Sequence, residues 1–177
     1  MGKRILVLGC PGSGKSTLAR KIQTQTGLPL IHLDNLWWKP DRTHVTQEEF
    51  DRKLETVLAG ERWIIDGNYR RTYAPRIRAC DTVIFLDYDE DTCMQGITER
   101  IGKPREDMPW TEQQLDPELA AMVRDFREQA RPALLVLLAQ HPEKEIQIFQ
   151  TREAAAQWLA DGMPCKETKK ENEEKAL

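Results

Sequence analysis

Ile5-Leu6-Val7-Leu8-Gly9-Cys10-Pro11-Gly12-Ser13-Gly14-Lys15-Ser16-Thr17 decides how the chain is read. The apolar run Ile5 to Leu8 reads as a buried strand, and Leu18, Ala19 and Ile22 then recur at helical spacing, so the stretch is strand, glycine-rich loop, helix. The loop satisfies the pattern glycine, four residues, glycine, lysine, serine or threonine that cradles nucleotide phosphates. Gly9, Gly12 and Gly14 let the backbone bend tightly and turn its N–H groups inward on an anion, while Lys15 brings an ammonium to the outer phosphates. Ser16 offers a hydroxyl to magnesium, and the start of the helix adds its positive end. A merely flexible turn would require neither Lys15-Ser16 nor the strand before it. The nucleotide-binding candidates are therefore Gly9, Pro11, Gly12, Ser13, Gly14, Lys15, Ser16 and Thr17.

A chain of 177 residues suits one domain with a full core. The formal charge of −3 gives no general affinity for polyanions, so nucleic-acid contact, though open, is not favoured and would have to be local. Cys10, Cys80, Cys93 and Cys165 lie far apart without metal-ligand or redox spacing and read as free thiols in a reducing compartment. No apolar stretch approaches the roughly 20 residues that cross a bilayer. Met1 leads straight into the first strand, so a cytoplasmic location without a membrane partner is expected.

Beyond the first helix, Gly27 serves as a C-terminal cap. Leu28 to Asp34 reads as a short strand ending in a carboxylate, where ligands collect in open parallel sheets. Asp34 is thus a catalytic candidate, with a helix or turn cap as the alternative; His32 reads as structural. Trp37 and Trp38 sit in a flap over about residues 35–60, where a ring either stacks on a planar substrate or anchors the loop. Thr46-Gln47-Glu48-Glu49 is a capping box opening a helix with Phe50, Leu54, Val57 and Leu58 on one stripe. Trp63 to Asp66 is a strand ending in Asp66-Gly67.

Asn68-Tyr69-Arg70-Arg71 with Arg76 and Arg78 follows, and these guanidinium groups could clamp phosphate or carboxylate bidentately, or in the case of Arg76 and Arg78 line a solvated face. Asp81 to Asp87 is the next strand, and Asp89 caps a helix to about Ile101. Residues 100–112, with glycine, two prolines and Arg100, Lys103 and Arg105, break the helical pattern and form a basic lid or a solvated loop. Asp116-Pro117 starts a helix on which Arg124, Arg127 and Arg131 share a face, with Glu128 able to pair with Arg124. Pro132 kinks or restarts it. Glu145 to Phe149 is a last strand, Thr151 caps a closing helix, and residues 162–177 form a charged tail expected to be disordered behind a single domain at 1–161. Five strands alternating with helices give an α/β, three-layer fold.

The chain resembles P-loop kinases of the adenylate-kinase-like group, and most closely the bacterial topology modulation proteins. The residues that carry this are Gly9 to Ser16, His32-Leu33-Asp34 with Trp37-Trp38-Lys39-Pro40, Trp63 to Tyr69, and Phe85-Leu86-Asp87. The resemblance implies a five-stranded parallel sheet of order 2-3-1-4-5, ATP as donor, and Asp66 as an outer-sphere magnesium carboxylate beside Ser16. It further implies that Arg70 or Arg71 grips a phosphorylated acceptor, and that Arg100 and Arg105 neutralise the transferring phosphoryl group. Adenylate kinases read Asp-Gly-Phe-Pro-Arg where this chain has Asp66-Gly67-Asn68-Tyr69-Arg70, which puts AMP as acceptor in doubt. Lys15, Asp34, Arg71, Arg100 and Arg105 are the catalytic candidates. Asp34, Trp37, Asp66, Asn68, Tyr69, Arg70, Arg71, Arg124 and Arg127 are the acceptor candidates.

Phosphoryl transfer needs mostly positioned cations, and the sequence contains them. The expected function is a kinase acting on a small-molecule, nucleotide- or nucleoside-like acceptor. The rival is a nucleotide-dependent regulator or DNA-associated ATPase, against which the acidic net charge speaks. No guanine-selective Asn-Lys-x-Asp string occurs.

Overall fold

The computed structural model describes residues 2–164. Its elements are β1 (Arg4–Gly9), α1 (Lys15–Thr26), β2 (Leu30–His32), α2 (Leu33–Trp37), α3 (Gln47–Leu58), β3 (Trp63–Asp66), α4 (Tyr73–Ala79), β4 (Thr82–Leu86), α5 (Glu90–Thr98), α6 (Pro117–Asp125), α7 (Arg131–Ala139), β5 (Glu145–Phe149) and α8 (Arg152–Ala160). The five strands form one sheet in the order β2-β3-β1-β4-β5, every pair parallel. This is the expected α/β three-layer arrangement. Ile5 to Leu8, Ile64, Ile65 and Val83 to Phe85 have no exposed surface. Helices cover both faces of a parallel sheet, which is why these strands are continuously apolar and do not alternate.

The helix ends follow the local chemistry of the sequence. Thr46 Oγ1 accepts from Glu49 N at 3.2 Å, Asp89 Oδ1 from Thr92 N at 2.7 Å, Asp116 Oδ1 from Glu118 N at 2.9 Å and Thr151 Oγ1 from Ala154 N at 3.1 Å. Gly27, at φ 66°, closes α1 by donating to Gln23 O. No helix among the described residues is long and apolar enough to cross a membrane.

Some boundaries differ from expectation. β2 stops at His32, and Leu33–Trp37 turns into a short helix, so Asp34 stands in the first turn of α2 and not at a strand end. Trp38 and His44 then bridge across a tight turn at Lys39 to Thr43. α5 ends at Thr98, not Ile101. Ahead of Pro132 the chain makes one π-helical turn over Phe126–Ala130, and α7 restarts at Arg131. Residues 162–164 are tied to α8: Met163 N donates to Trp158 O at 2.9 Å, and Trp158 Nε1 donates to Pro164 O at 3.0 Å. The rest of the expected charged tail, 165–177 including Cys165, lies outside the described residues.

Candidate active site

The loop after β1 is held by its own carbonyl at Cys10, which accepts Ser13 N at 3.1 Å and Lys15 Nζ at 3.1 Å. Gly14 caps α1 in the left-handed region at φ 87° with no side-chain cap, so the first amides of α1 are left for an anion. Ser13 Oγ is buried without a hydrogen-bond partner, a second polar group whose bonding capacity the described residues do not use. The loop also rests directly on α5. A Cβ on Gly96 would lie 2.0 Å from Gly12 O, and one on Gly12 would lie 2.0 Å from Cys93 O. Gly96 carries no sequence motif, yet it sets the loop's position. Gly96→Ala is expected to cost about 1–3 kcal/mol and to abolish the rise in melting temperature that ATP gives the parent protein. An unchanged melting curve with an unchanged ATP response would refute this packing.

Asp66, 2% exposed at the end of β3, receives His32 Nδ1 on Oδ1 at 2.7 Å. Burial works against a charged imidazole, but the bond to Asp66 and its charge prevail and raise the His32 pKa. His32 therefore does more than fill a strand: it holds a carboxylate next to the loop. Asp34 accepts Tyr69 Oη on Oδ1 at 2.8 Å. Burial raises the Asp34 pKa, opposed by the Tyr69 bond and the charge of Lys15, and it raises that of Tyr69 as well. The cap alternative for Asp34 is not what its side chain does.

Tyr69 also joins Asp34 to a cavity of about 130 Å³ lined by Trp37, Gln47, Phe50, Tyr69, Arg70, Arg71 and Thr72. Phe50 and Tyr69 lie 4.9 Å apart, Trp37 meets Phe50 edge-on at 5.5 Å, and Trp37 stacks on His44 at 4.4 Å. Trp37 is thus both an anchor for the flap and a wall of the cavity, whereas Trp38 turns away to meet Trp110 of the lid at 5.3 Å. A smaller cavity of about 50 Å³ lies between Pro11 of the loop, Asn68, Arg70, Tyr73 and the Met122 to Ala130 stretch.

The arginines separate into different jobs. Arg70 lines both cavities, and no hydrogen bond or ion pair occupies its guanidinium among the described residues. Arg71 touches the first cavity but is taken bidentately by Asp51 of α3, with Nη1 to Oδ2 at 3.0 Å. Arg76, expected either to clamp an anion or to line a solvated face, does neither and is wholly buried: Nη1 donates to Gly67 O at 2.8 Å and Nη2 to Asn68 O at 2.9 Å and Tyr69 O at 3.3 Å. Arg78 is exposed. Arg124 and Arg127 are exposed and line neither cavity, and no Arg124 to Glu128 pair forms. Arg131 leaves their face to bind Asp87, Nε to Oδ1 at 2.6 Å and Nη2 to Oδ2 at 2.7 Å, fastening α7 to the end of β4.

The lid lies folded across the site. Asn35 Nδ2 donates to Glu106 O at 2.8 Å, and Asp107, 5% exposed, reaches the Ser16 side chain and Arg105 Nη1 at 3.4 Å. Arg100 and Arg105 are both within the lid's own ion pairs.

A shikimate kinase structure from Bacteroides thetaiotaomicron superposes with a TM-score of 0.59 at 21% identity, covering 90% of this chain and 97% of that one. The chain shares the fold of that kinase structure. A sugar kinase from a Janibacter species (TM-score 0.51, 18% identity, 92% of this chain and 93% of that one) and a gluconokinase from Sinorhizobium meliloti (0.51, 16%, 92% and 91%) share it. A family model of the viral superfamily 1 RNA helicase core domain matches residues 5–86, the part from β1 to β4 that contains the phosphate loop and less than half of the chain. No curated protein matches.

Proposed function

We propose that the chain is a kinase that transfers the γ-phosphoryl group of ATP to a hydroxyl of a small nucleotide- or nucleoside-like acceptor, within the adenylate-kinase-like group and its topology modulation branch. The observation that carries this is the hydrogen bond from Tyr69 to Asp34, which joins an aromatic-walled cavity to a half-buried carboxylate within the field of Lys15. Drug-sized ligands fill ~300 Å³ or more, so a cavity of about 130 Å³ fits one ring and not a whole nucleotide. Asp34 takes the acceptor hydroxyl's proton as it attacks. Lys15 and the loop amides hold the donor phosphates.

Ser16, with Asp66 held by His32, suits a magnesium ion, which when bound neutralises charge between the outer phosphates. Arg70, whose guanidinium has no hydrogen bond or ion pair among the described residues, receives an anionic group on the acceptor. Arg100 and Arg105 act from the lid at 100–112, and the flap at 35–60 carries Trp37. One domain over 1–161 contains all of these parts, and the buried free thiols Cys10, Cys80 and Cys93 suit a reducing cytoplasm.

The test incubates protein, magnesium and ATP with nucleosides, nucleotides, sugars and hydroxy acids and follows phosphorylated product by mass spectrometry. Transfer to a nucleoside or nucleotide is the expected outcome. Transfer only to sugars or hydroxy acids would sink the acceptor class, and phosphate release with no acceptor phosphorylated would sink the kinase reading in favour of an ATPase.

A further inference from the structure

The cations assigned to the phosphoryl group are already matched by carboxylates of the lid itself. Arg100 Nη2 lies 2.7 Å from Glu112 Oε1, and Arg105 Nη2 lies 3.6 Å from Glu112 Oε2. Arg105 Nη1 is 3.4 Å from Asp107 Oδ2, while Arg20 of α1 approaches Asp107 Oδ1 at 3.8 Å. The Asp107 carboxylate thus faces two guanidinium groups, one from the lid and one from α1. Its tie to Arg20 brings the carboxylate to α1, the helix whose first turn holds Ser16, the residue of the loop that must also serve the triphosphate. Arg20 Nη1 and Arg100 Nε remain buried without a hydrogen-bond partner, so the carboxylates use only part of the donor set.

A carboxylate and a phosphate compete for the same guanidinium fork, and a triphosphate brings more charge and more acceptor oxygens. The two cannot share the corner at Ser16 without like-charge repulsion. We propose that Asp107 and Glu112 are stand-in anions that hold Arg20, Arg100 and Arg105 folded over the phosphate loop and give way to the phosphates of the nucleotide. This rests on the reading of the loop as a nucleotide site. The exchange has two consequences. Weakly charged anions do not open the lid, because they cannot displace two paired carboxylates. Nucleotide entry also moves Glu106 off Asn35 and Trp110 off Trp38, since these contacts lie on the same short segment.

The test titrates a non-hydrolysable ATP analogue into the parent protein and into Asp107→Asn and Glu112→Gln by calorimetry, with magnesium and with EDTA, at low and high salt. Each neutral variant is expected to bind the analogue roughly three- to tenfold tighter at low salt, with the gain shrinking as salt rises. The gain should appear with or without magnesium. Equal or weaker binding by both variants overturns the proposal. So does a loss seen only with magnesium, which would make Asp107 a metal ligand. Should a melting curve show that Asp107→Asn does not fold, Glu112→Gln decides by the same criteria. If neither the parent nor the variants bind the analogue, the kinase reading falls and takes this proposal with it. If the parent binds and the variants bind no tighter, this proposal falls alone.

Discussion

Asp34→Asn is expected to lower kcat by about 10²–10⁴-fold while leaving the affinity for ATP near that of the parent protein. The side chain lies in the first turn of α2, its Oδ1 bonded by Tyr69 Oη at 2.8 Å beside the aromatic cavity. Burial raises its pKa toward working pH, which makes it a better base than an exposed aspartate; the Tyr69 bond and Lys15 keep it ionisable. The rate should therefore rise with pH through this raised value, and the Asn variant should lose that limb. Tyr69→Phe removes a bond that lowers the pKa, so its limb moves to higher pH.

Stability separates catalysis from folding. A carboxyl whose folded pKa is raised costs stability as pH climbs from its ordinary value through the folded one. Asp34→Asn removes that cost and should melt no lower than the parent at neutral pH. Turnover equal to the parent with the true acceptor would refute the role of base.

Arg76→Met is expected to destabilise the protein by about 3–5 kcal/mol, a drop of roughly 10 °C in melting temperature for a chain of this size. The guanidinium is wholly buried and has no carboxylate partner among the described residues. It donates to the carbonyls of Gly67, Asn68 and Tyr69 and lies 5.2 Å from the Tyr73 ring. Burial depresses its pKa to about 10, so it stays charged at neutral pH. Met fills part of the volume but leaves those carbonyls without their donor in a segment of irregular backbone. Because Tyr69 is one of them, activity should fall further than stability explains, through a displaced hydroxyl at Asp34. Urea and thermal unfolding followed by circular dichroism provide the check. A melting shift under about 2 °C would show that water replaces the guanidinium freely.

How far the sequence reached can be judged from particular residues. Gly9 to Ser16 was legible because a phosphate loop is a local device: its geometry is made by neighbouring residues, and each fixed position has its own chemical demand. The helix caps at Thr46, Asp89, Asp116 and Thr151 were legible for the same reason, and strands interleaved with helices pointed to a three-layer sheet with helices on both faces. Asp66 was legible at the end of its strand, whereas Asp34, expected at a strand end, stands in the first turn of α2.

What each polar side chain does was decided by the tertiary structure. In the sequence Arg70, Arg71 and Arg76 are equivalent members of one basic run. In the fold the first lines two cavities, the second is bound by Asp51 from α3, and the third is buried under the backbone that follows β3. Likewise Gly96 matters only because α5 meets the loop, and Asp107 only because the lid folds back onto Ser16. The sequence by itself determined the alternation of strands and helices along the chain, the phosphate loop and the capping residues at Thr46, Asp89, Asp116 and Thr151, all set within a few residues. Asp51 for Arg71, Asp87 for Arg131 and Arg20 for Asp107 come from separate elements, and Arg76 meets the carbonyls after β3 only because that segment folds back over it, so these charges could be assigned only once packing had chosen which groups meet and which leave water.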